Sequence, residues 1–434
     1  MPRRSRICVA VLLAVAASHP APADAVRIDY SLDLGGEHND NVAMEAVDPE
    51  SQNIAQAGLG FTIAEETSAV RLLLTGRADY LHYEDVYSDR LDAMLRGRFD
   101  WMAIPDRLQF TVEDTMSTRP VDGLLPDTPA NRQRINTFAA GPTLFFRWGG
   151  TMDGAADLRF VRDTAEETRD LNAKRLSAAL GATHEFDGTS RLSFNGGMEW
   201  IDYDHDDVAR DVDRQDAFAR YERDLAQLQL GVDAGWTRLD YDDGETVDEP
   251  LFRVDLAWTP TARSRYVAFA ARQLSDASRD ISRLPAGGPD GGIPAGVPVG
   301  EISPTSSHFK ERRLELGYEY TGARFNFEVR PSGYRARYVD AALLDHDGVG
   351  LALGVVWTLR PALLLDASAS YDEIDYINLD STTRSTRYGI GLRKEWTRNW
   401  STRLSWARYE RRMSATGTSI SQDVLYLGVT YANR

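Results

Sequence analysis

The 434-residue chain holds a single cysteine, Cys8. An internal disulfide is therefore excluded. Beyond residue 17 no run of about 18 apolar residues occurs, so membrane-crossing helices are excluded too. Basic excess is also lacking, with 49 Lys and Arg against 66 Asp and Glu. Nucleic-acid binding needs a clustered basic surface, so the charge balance argues against that partner. Motifs of chemistry are scarce: there is no nucleophile-elbow glycine pattern, no phosphate loop and no pair of histidines at metal spacing. His38, His82, His184, His205, His308 and His346 are scattered over loops and strand ends. His82 near Asp79 and His184 beside Glu185 come nearest to a catalytic pair, but no base, nucleophile and orienting group can be assembled around either. An enzyme is not expected, and neither is a metal or a cofactor.

What is present begins with an export signal. Arg3, Arg4 and Arg6 precede an apolar run from Ile7 to Ala17, and Ala23-Asp24-Ala25 offers a small-x-small cleavage site. The pattern predicts a cleaved secretory signal peptide over residues 1–25 and a mature domain over 26–434. Cys8 lies inside the signal, too early for a lipoprotein acceptor site. Removal of three Arg and one Asp moves the formal charge from −17 to −19. An exported chain without a disulfide must be stabilised in another way, and closing a sheet on itself in a bilayer is one.

Residues 91–114 set the pattern for the rest. Leu91, Ala93, Leu95, Gly97, Phe99, Trp101 and Ala103 alternate with Asp92, Met94, Arg96, Arg98 and Asp100. That is period two, a strand with one apolar and one charged face. Pro105-Asp106-Arg107 turns the chain, and Leu108, Phe110 and Val112 then alternate with Gln109, Thr111 and Glu113. The hairpin recurs almost to the C-terminus, with aromatic residues at strand ends. The fold predicted is an all-β, antiparallel, up-and-down transmembrane barrel. The negative mean hydropathy agrees with it, because only alternate residues face lipid.

The first strand is expected at 26–34, with Ile28, Tyr30, Leu32 and Leu34 outward. The last puts Leu425, Leu427, Val429 and Tyr431 on the lipid face, although Ala432, Asn433 and Arg434 follow where an aromatic residue commonly ends such chains. Between them the connections alternate between tight and long. Residues 204–224 are too polar to read by hydrophobicity, yet 203–211 and 240–249 both resemble external loops. Alternation requires two strands between them, and one is placed at about 212–221. The count is then about 20, within 18 to 22. Of the nine tryptophans, Trp101, Trp148, Trp258, Trp357, Trp396 and Trp400 fall beside short turns, and Trp200, Trp236 and Trp406 near long loops. Two interfacial girdles follow, since indole is apolar with one N–H that seeks water. The location expected is the bacterial outer membrane, in contact with lipid, lipopolysaccharide and the outer-membrane assembly machinery.

Under this register the lumen receives Arg71, Arg77, Asp79, Asp92, Arg96, Arg98, Asp100, Glu113, Asp157, Arg159 and Glu199. Farther along it receives Asp233, Arg253, Asp255, Arg313, Glu315, Glu319, Glu328, Arg330, Asp366, Arg387 and Arg393. Side chains can fill eight strands, but 16 to 18 already leave an aqueous channel, so a barrel of about 20 should hold a pore unless plugged. The charges either line a hydrated path or pair across strands to stiffen the wall. Residues 275–307, rich in Gly and Pro, form either an inward gate or an external loop. The acidic clusters at 202–207 and 240–245 lack calcium-loop spacing.

Three stretches carry a family resemblance: GGEHNDNV after the first strand, NTFAAGPTLFFRWGG at 136–150, and DAGWTRLDYDDGETVDEPLFRVDLAWTPTARSRYVAFAARQLSDA at 233–277. In these the chain resembles the β-barrel porins encoded alongside bacterial exopolysaccharide gene clusters. The resemblance implies an outer-membrane conduit through which a secreted polysaccharide leaves the periplasm, served by a periplasmic export component, and it carries over no catalytic residue. The alternatives are a diffusion porin for small polar solutes and a structural or adhesive barrel acting through its loops. The sugar and the oligomeric state are left open.

Overall fold

The structure is a computed structural model that describes residues 26–205, 209–277, 279 and 304–433. The expected signal peptide and the centre of the 275–307 segment lie outside the described residues. Twenty strands follow one another. The first ten are β1 (Arg27–Asn39), β2 (Gln52–Glu66), β3 (Val70–Tyr83), β4 (Arg90–Ile104), β5 (Leu108–Pro120), β6 (Arg132–Trp148), β7 (Met152–Ala165), β8 (Ala173–Asp187), β9 (Ser190–Tyr203) and β10 (Val212–Asp224). The second ten are β11 (Leu228–Tyr241), β12 (Thr246–Thr261), β13 (Ser264–Ser275), β14 (Phe309–Thr321), β15 (Phe325–Tyr338), β16 (His346–Arg360), β17 (Leu363–Tyr376), β18 (Ser381–Glu395), β19 (Trp400–Met413) and β20 (Thr418–Asn433). Each pairs antiparallel with the next. Closure comes from β1 against β20, where Leu32 faces Tyr431 and Leu34 faces Val429. No edge is left to recruit another chain.

Ladder parity sorts the side chains. Ile28, Leu32 and Leu34 lie on the outer face beside Ile63, Leu59 and Ala57 of β2, and Leu34, Phe194 and Leu427 stay more than half exposed. In a soluble sheet such a surface would have to be covered. A bilayer supplies the cover. At the short-turn end the outer aromatic rings touch from strand to strand. Trp258 lies 5.2 Å from Tyr266, which lies 4.7 Å from Tyr318, which lies 5.3 Å from Phe327. Trp400, Tyr431 and Tyr30 continue the belt across the closure.

Every connection at that end is two to four residues long. In the turn after β4, Asp106 takes φ +58°, which a short polar side chain tolerates. At the opposite end the strands extend farther than the hydrophobic pattern predicts. The expected loop at 240–249 shrinks to a four-residue turn, because β11 runs to Tyr241 and β12 starts at Thr246, and the connection between β19, ending at Met413, and β20, starting at Thr418, is equally short. Beyond the bilayer a ladder needs only backbone hydrogen bonds, so polar residues continue it without alternation. The weakly patterned β10 is a full strand, held between β9 and β11 by ladders on both sides.

Apolar packing inside the barrel collects at the long-loop end. Ile201, Tyr203, Val212, Leu239, Tyr241 and Leu274 form one cluster there. Val42, Ile54 and Tyr83 form a second.

Candidate functional site: the inner wall

The inner wall is built by the second half of the two-residue period. Glu113 opposes Arg98, Thr111 opposes Asp100, and both strands turn Phe99, Trp101, Phe110 and Val112 the other way. By the same parity all of the charged residues expected in the lumen share the face opposite the lipid row. The contacts they make lie on the concave side. Arg77 on β3 reaches past β2 to Asp33 on β1 at 3.0 Å. Gly58 of β2 leaves that path clear, since a Cβ there would stand 2.5 Å from the Asp79 carboxylate.

Half of these charges are paired with a neighbour two residues along the same strand, because residues i and i+2 share a face. Arg77 holds Asp79 at 2.7 Å, Arg98 holds Asp100 at 2.8 Å, Asp157 meets Arg159 at 3.1 Å, Arg313 meets Glu315 at 3.4 Å and Arg330 meets Glu328 at 3.2 Å. Cross-strand bonds link the pairs into groups. Arg98 also takes Glu113 at 2.6 Å, Arg330 takes Glu319 at 3.0 Å, and Arg253 takes Asp233 at 2.8 Å. Asp233 is fully buried and is held from its other side by Arg220 at 2.9 Å; Arg220 stands 3.7 Å from Asp255. Asp92 sits opposite Asp79 in the ladder and is held by Arg90 and, at 3.5 Å, by Arg132. Asp366 meets Arg403 at 2.7 Å, Arg387 lies over the Tyr409 ring, and Arg71 pairs with Glu66 at the turn. Arg96 and Arg393 lie on the same inner face. The wall is thus strongly polar and locally neutral.

Several inner-wall charges were not expected from the sequence: Asp33, Arg90, Asp163, Arg175, Arg214 and Arg220. The signal that could have found half of them is the spacing Arg-x-acid. It occurs at Arg90-Leu91-Asp92, Arg214-Gln215-Asp216 and Arg220-Tyr221-Glu222, and in each the two charges bond along the strand.

At the long-loop end, chain segments fold inward over the wall. Asp276, just past β13, is buried against Arg175 of β8 at 3.3 Å, and Arg175 also holds Asp163 at 2.7 Å. Arg279 bonds Glu199 and stands 3.4 Å from Asp276. Ala277 packs with Ile135 and Leu171. On the return, the Tyr203 hydroxyl donates to the Ser306 carbonyl at 3.1 Å, and His308 meets the Tyr241 hydroxyl at 3.4 Å. Both stems of the 275–307 segment therefore point into the barrel mouth. A second segment does the same from the β5–β6 side, where Arg411 of β19 donates to the carbonyls of Leu124 at 2.7 Å and Leu125 at 3.0 Å.

Two electrostatic effects stand out in these loops. Burial would raise the Asp276 carboxyl, but Arg175 and then Arg279 overcome that and hold it below the usual carboxylate range. Burial pushes His308 down to about 4, against the opposing pull of Asp276. The acidic loop residues are likewise engaged: Asp243 and Glu245 bind Arg210 at 2.6 and 2.9 Å, and Asp204 binds Arg162. Among the described residues, no cluster of His, Cys, Asp and Glu is arranged to hold a metal ion.

No protein-family model and no curated protein sequence matches this chain. Among solved structures, a mutant of the ferric enterobactin receptor PfeA from Pseudomonas aeruginosa superposes with a TM-score of 0.50 at 10% identity, covering 94% of this chain and 81% of the receptor. OccAB4 of Acinetobacter baumannii gives 0.39 at 9% identity over 95% of this chain and 100% of its own, and OpdQ of Pseudomonas aeruginosa gives 0.40 at 10% over 95% and 99%. At such identities the likeness to PfeA is one of fold alone. With its closed ladder, apolar outer face and aromatic belt, the chain is a transmembrane β-barrel of the outer-membrane kind.

Proposed function

We propose that this barrel is the outer-membrane conduit for a secreted polysaccharide. The observation that carries the reading is the pairing of the wall charges along and across strands. A hydrated sugar chain slides by exchanging weak hydrogen bonds between water and wall. Isolated charges would hold water or counterions tightly, whereas pairs such as Arg77–Asp79 and Arg98–Asp100 offer many polar atoms and little net field. The resemblance at 136–150 and 233–277 supports the same reading. In it, the short-turn end receives polymer from a periplasmic export component, the outer face meets lipid and lipopolysaccharide, and the last strand is recognised by the assembly machinery.

A diffusion porin for small polar solutes is the second reading. It is favoured by the inward segments at Asp276 and at Leu124, which narrow the external mouth. Deletion of the gene separates the two. Loss of surface polymer with accumulation in the periplasm, restored by the intact gene, supports the conduit; unchanged surface polymer together with reduced small-solute uptake supports the porin.

A further inference from the structure

The inner wall between β6 and β13 is hollowed into two recesses of about 400 and 380 Å³ that meet at Asn195 and Phe218. Each falls in the range of about 300–1,000 Å³ usual for small-ligand sites. The first is floored by small residues, Ala155, Ala179, Gly181 and Gly197, between the Phe145 ring on one side and Phe218 on the other. The second continues past Phe218 to Phe269. Three aromatic residues thus stand along a shallow trough among polar and small residues of the wall.

The polar groups of the trough differ in how free they are. Arg220 and Arg253 are both committed to the buried Asp233. Asp157 is held by Arg159 and by the Thr143 hydroxyl, Asp153 by Arg147, and Asp216 by Arg214. Asp255 is half exposed, with only the 3.7 Å approach of Arg220. The Asn195 carboxamide, where the recesses meet, has no hydrogen-bond partner among the described residues, leaving two donors and an acceptor open. Both guanidiniums of the lining thus already hold Asp233, and Asp255 is the most loosely held of the lining carboxylates.

We propose that this trough is a saccharide-binding subsite selective for neutral sugars over uronic acids. A pyranose ring presents C–H groups on its faces and hydroxyls at its rim. The faces fit against flat aromatic rings, which bury apolar area while leaving a polar edge free. The rim hydroxyls are donors and acceptors together, matched by Asn195 as both and by Asp255 as an acceptor. A uronic acid carboxylate would find both lining guanidiniums engaged with Asp233 and would have to approach the half-exposed Asp255 carboxylate. The inference rests on the conduit reading only for its role in transport; binding itself is a property of the wall.

Saturation-transfer NMR on the detergent-solubilised full-length barrel tests it, with maltoheptaose as the neutral probe and an oligogalacturonate of equal length as the anionic one. Transfer to maltoheptaose with little to the uronate supports the subsite. Phe218→Leu should weaken maltoheptaose binding by roughly tenfold, the equivalent of one lost aromatic contact. Gly197→Val fills the floor and should also abolish it. A Cβ at 197 meets its nearest atom at an ordinary 3.5 Å, so the position admits a side chain, and gel mobility of the unheated barrel checks that the Val variant is folded. Equal or stronger transfer to the uronate overturns the selectivity. No transfer to either sugar, or full binding by Gly197→Val, overturns the subsite. Failure of the conduit reading would show up separately, as unchanged surface polymer in the deletion strain with sugar binding intact.

Discussion

Arg175 and Asp276 lie 101 positions apart in the chain and 3.3 Å apart in the barrel. Both are buried, and Asp163 shares the same guanidinium. This contact anchors the inward stem after β13 to the wall of β8.

Replacing Arg175 with Met should leave the buried Asp163 without its cation and Asp276 with Arg279 alone. Breaking a buried ion pair from one side typically costs about 3–5 kcal/mol. Chemical unfolding of the barrel in lipid vesicles should register that loss, and adding Asp276→Asn to Arg175→Met should recover part of it. A single variant as stable as the parent would show that the pair contributes nothing.

Acid should loosen the same stem in two stages. The His308 imidazole faces the Tyr241 hydroxyl, Asp276, Arg214, Arg175 and Arg279, and its value of about 4 lies below the ordinary 6.5. A group depressed in this way contributes its full stability above pH 6.5 and loses it as pH falls toward 4. Asp276, held below its ordinary 3.8, adds a loss only below that value. Hydrogen exchange at the amides of residues 274–277 should be independent of pH above 7 once corrected for intrinsic rate. Protection should then decline from 6.5 to 4 and fall further below 4. Protection that rises on acidification would contradict the assignment.

Adjacent residues on β19 should respond oppositely to the same charge. Leu404 faces lipid opposite Leu427, while Ser405 faces the lumen opposite Tyr426. Leu404→Arg should destabilise the barrel by about 2–4 kcal/mol, the cost of Arg at the midplane of a lipid face. Ser405→Arg should cost far less. The measurement is again unfolding in vesicles, and equal losses would contradict the facing.

Removing one lumenal cation should bias the pore toward cations. Arg403 bonds Asp366 at 2.7 Å over Gly391, where a Cβ would stand within 2.8 Å of both. Arg403→Gln leaves Asp366 uncompensated, and the reversal potential in a salt gradient across a planar bilayer should shift toward cation selectivity. Asp366→Asn should shift it the other way. Shifts of the same sign in both variants would place the pair away from the conducting path.

The facing of the strongly patterned strands was legible in the sequence because it is a local property. Leu95, Phe99 and Trp101 against Arg96, Arg98 and Asp100 state two faces within a few residues, and no other part of the chain is needed to read them. The even strand number came from parity, which also located β10 although Val212 to Asp224 has little hydrophobic contrast. Loop lengths were less legible. At 240–249 the polar composition suggested a loop, but past the bilayer edge a strand has no hydrophobic requirement, and the ladder between Asp240 and Thr246 simply continues.

The sequence by itself determined the barrel class, the apolar and charged faces, and the aromatic belt, since all three follow from a two-residue period read against a slab of lipid. Only the tertiary structure decided which arginines reach across strands, that Asp276 and Leu124 reach into the mouth, and that Asn195 and Phe218 join two recesses into one trough. The Asp276 and Leu124 contacts join segments far apart in sequence, Arg175 to Asp276 and Arg411 to Leu124. They come into being only when β1 meets β20 and the curvature of the closed wall brings the inner side chains together.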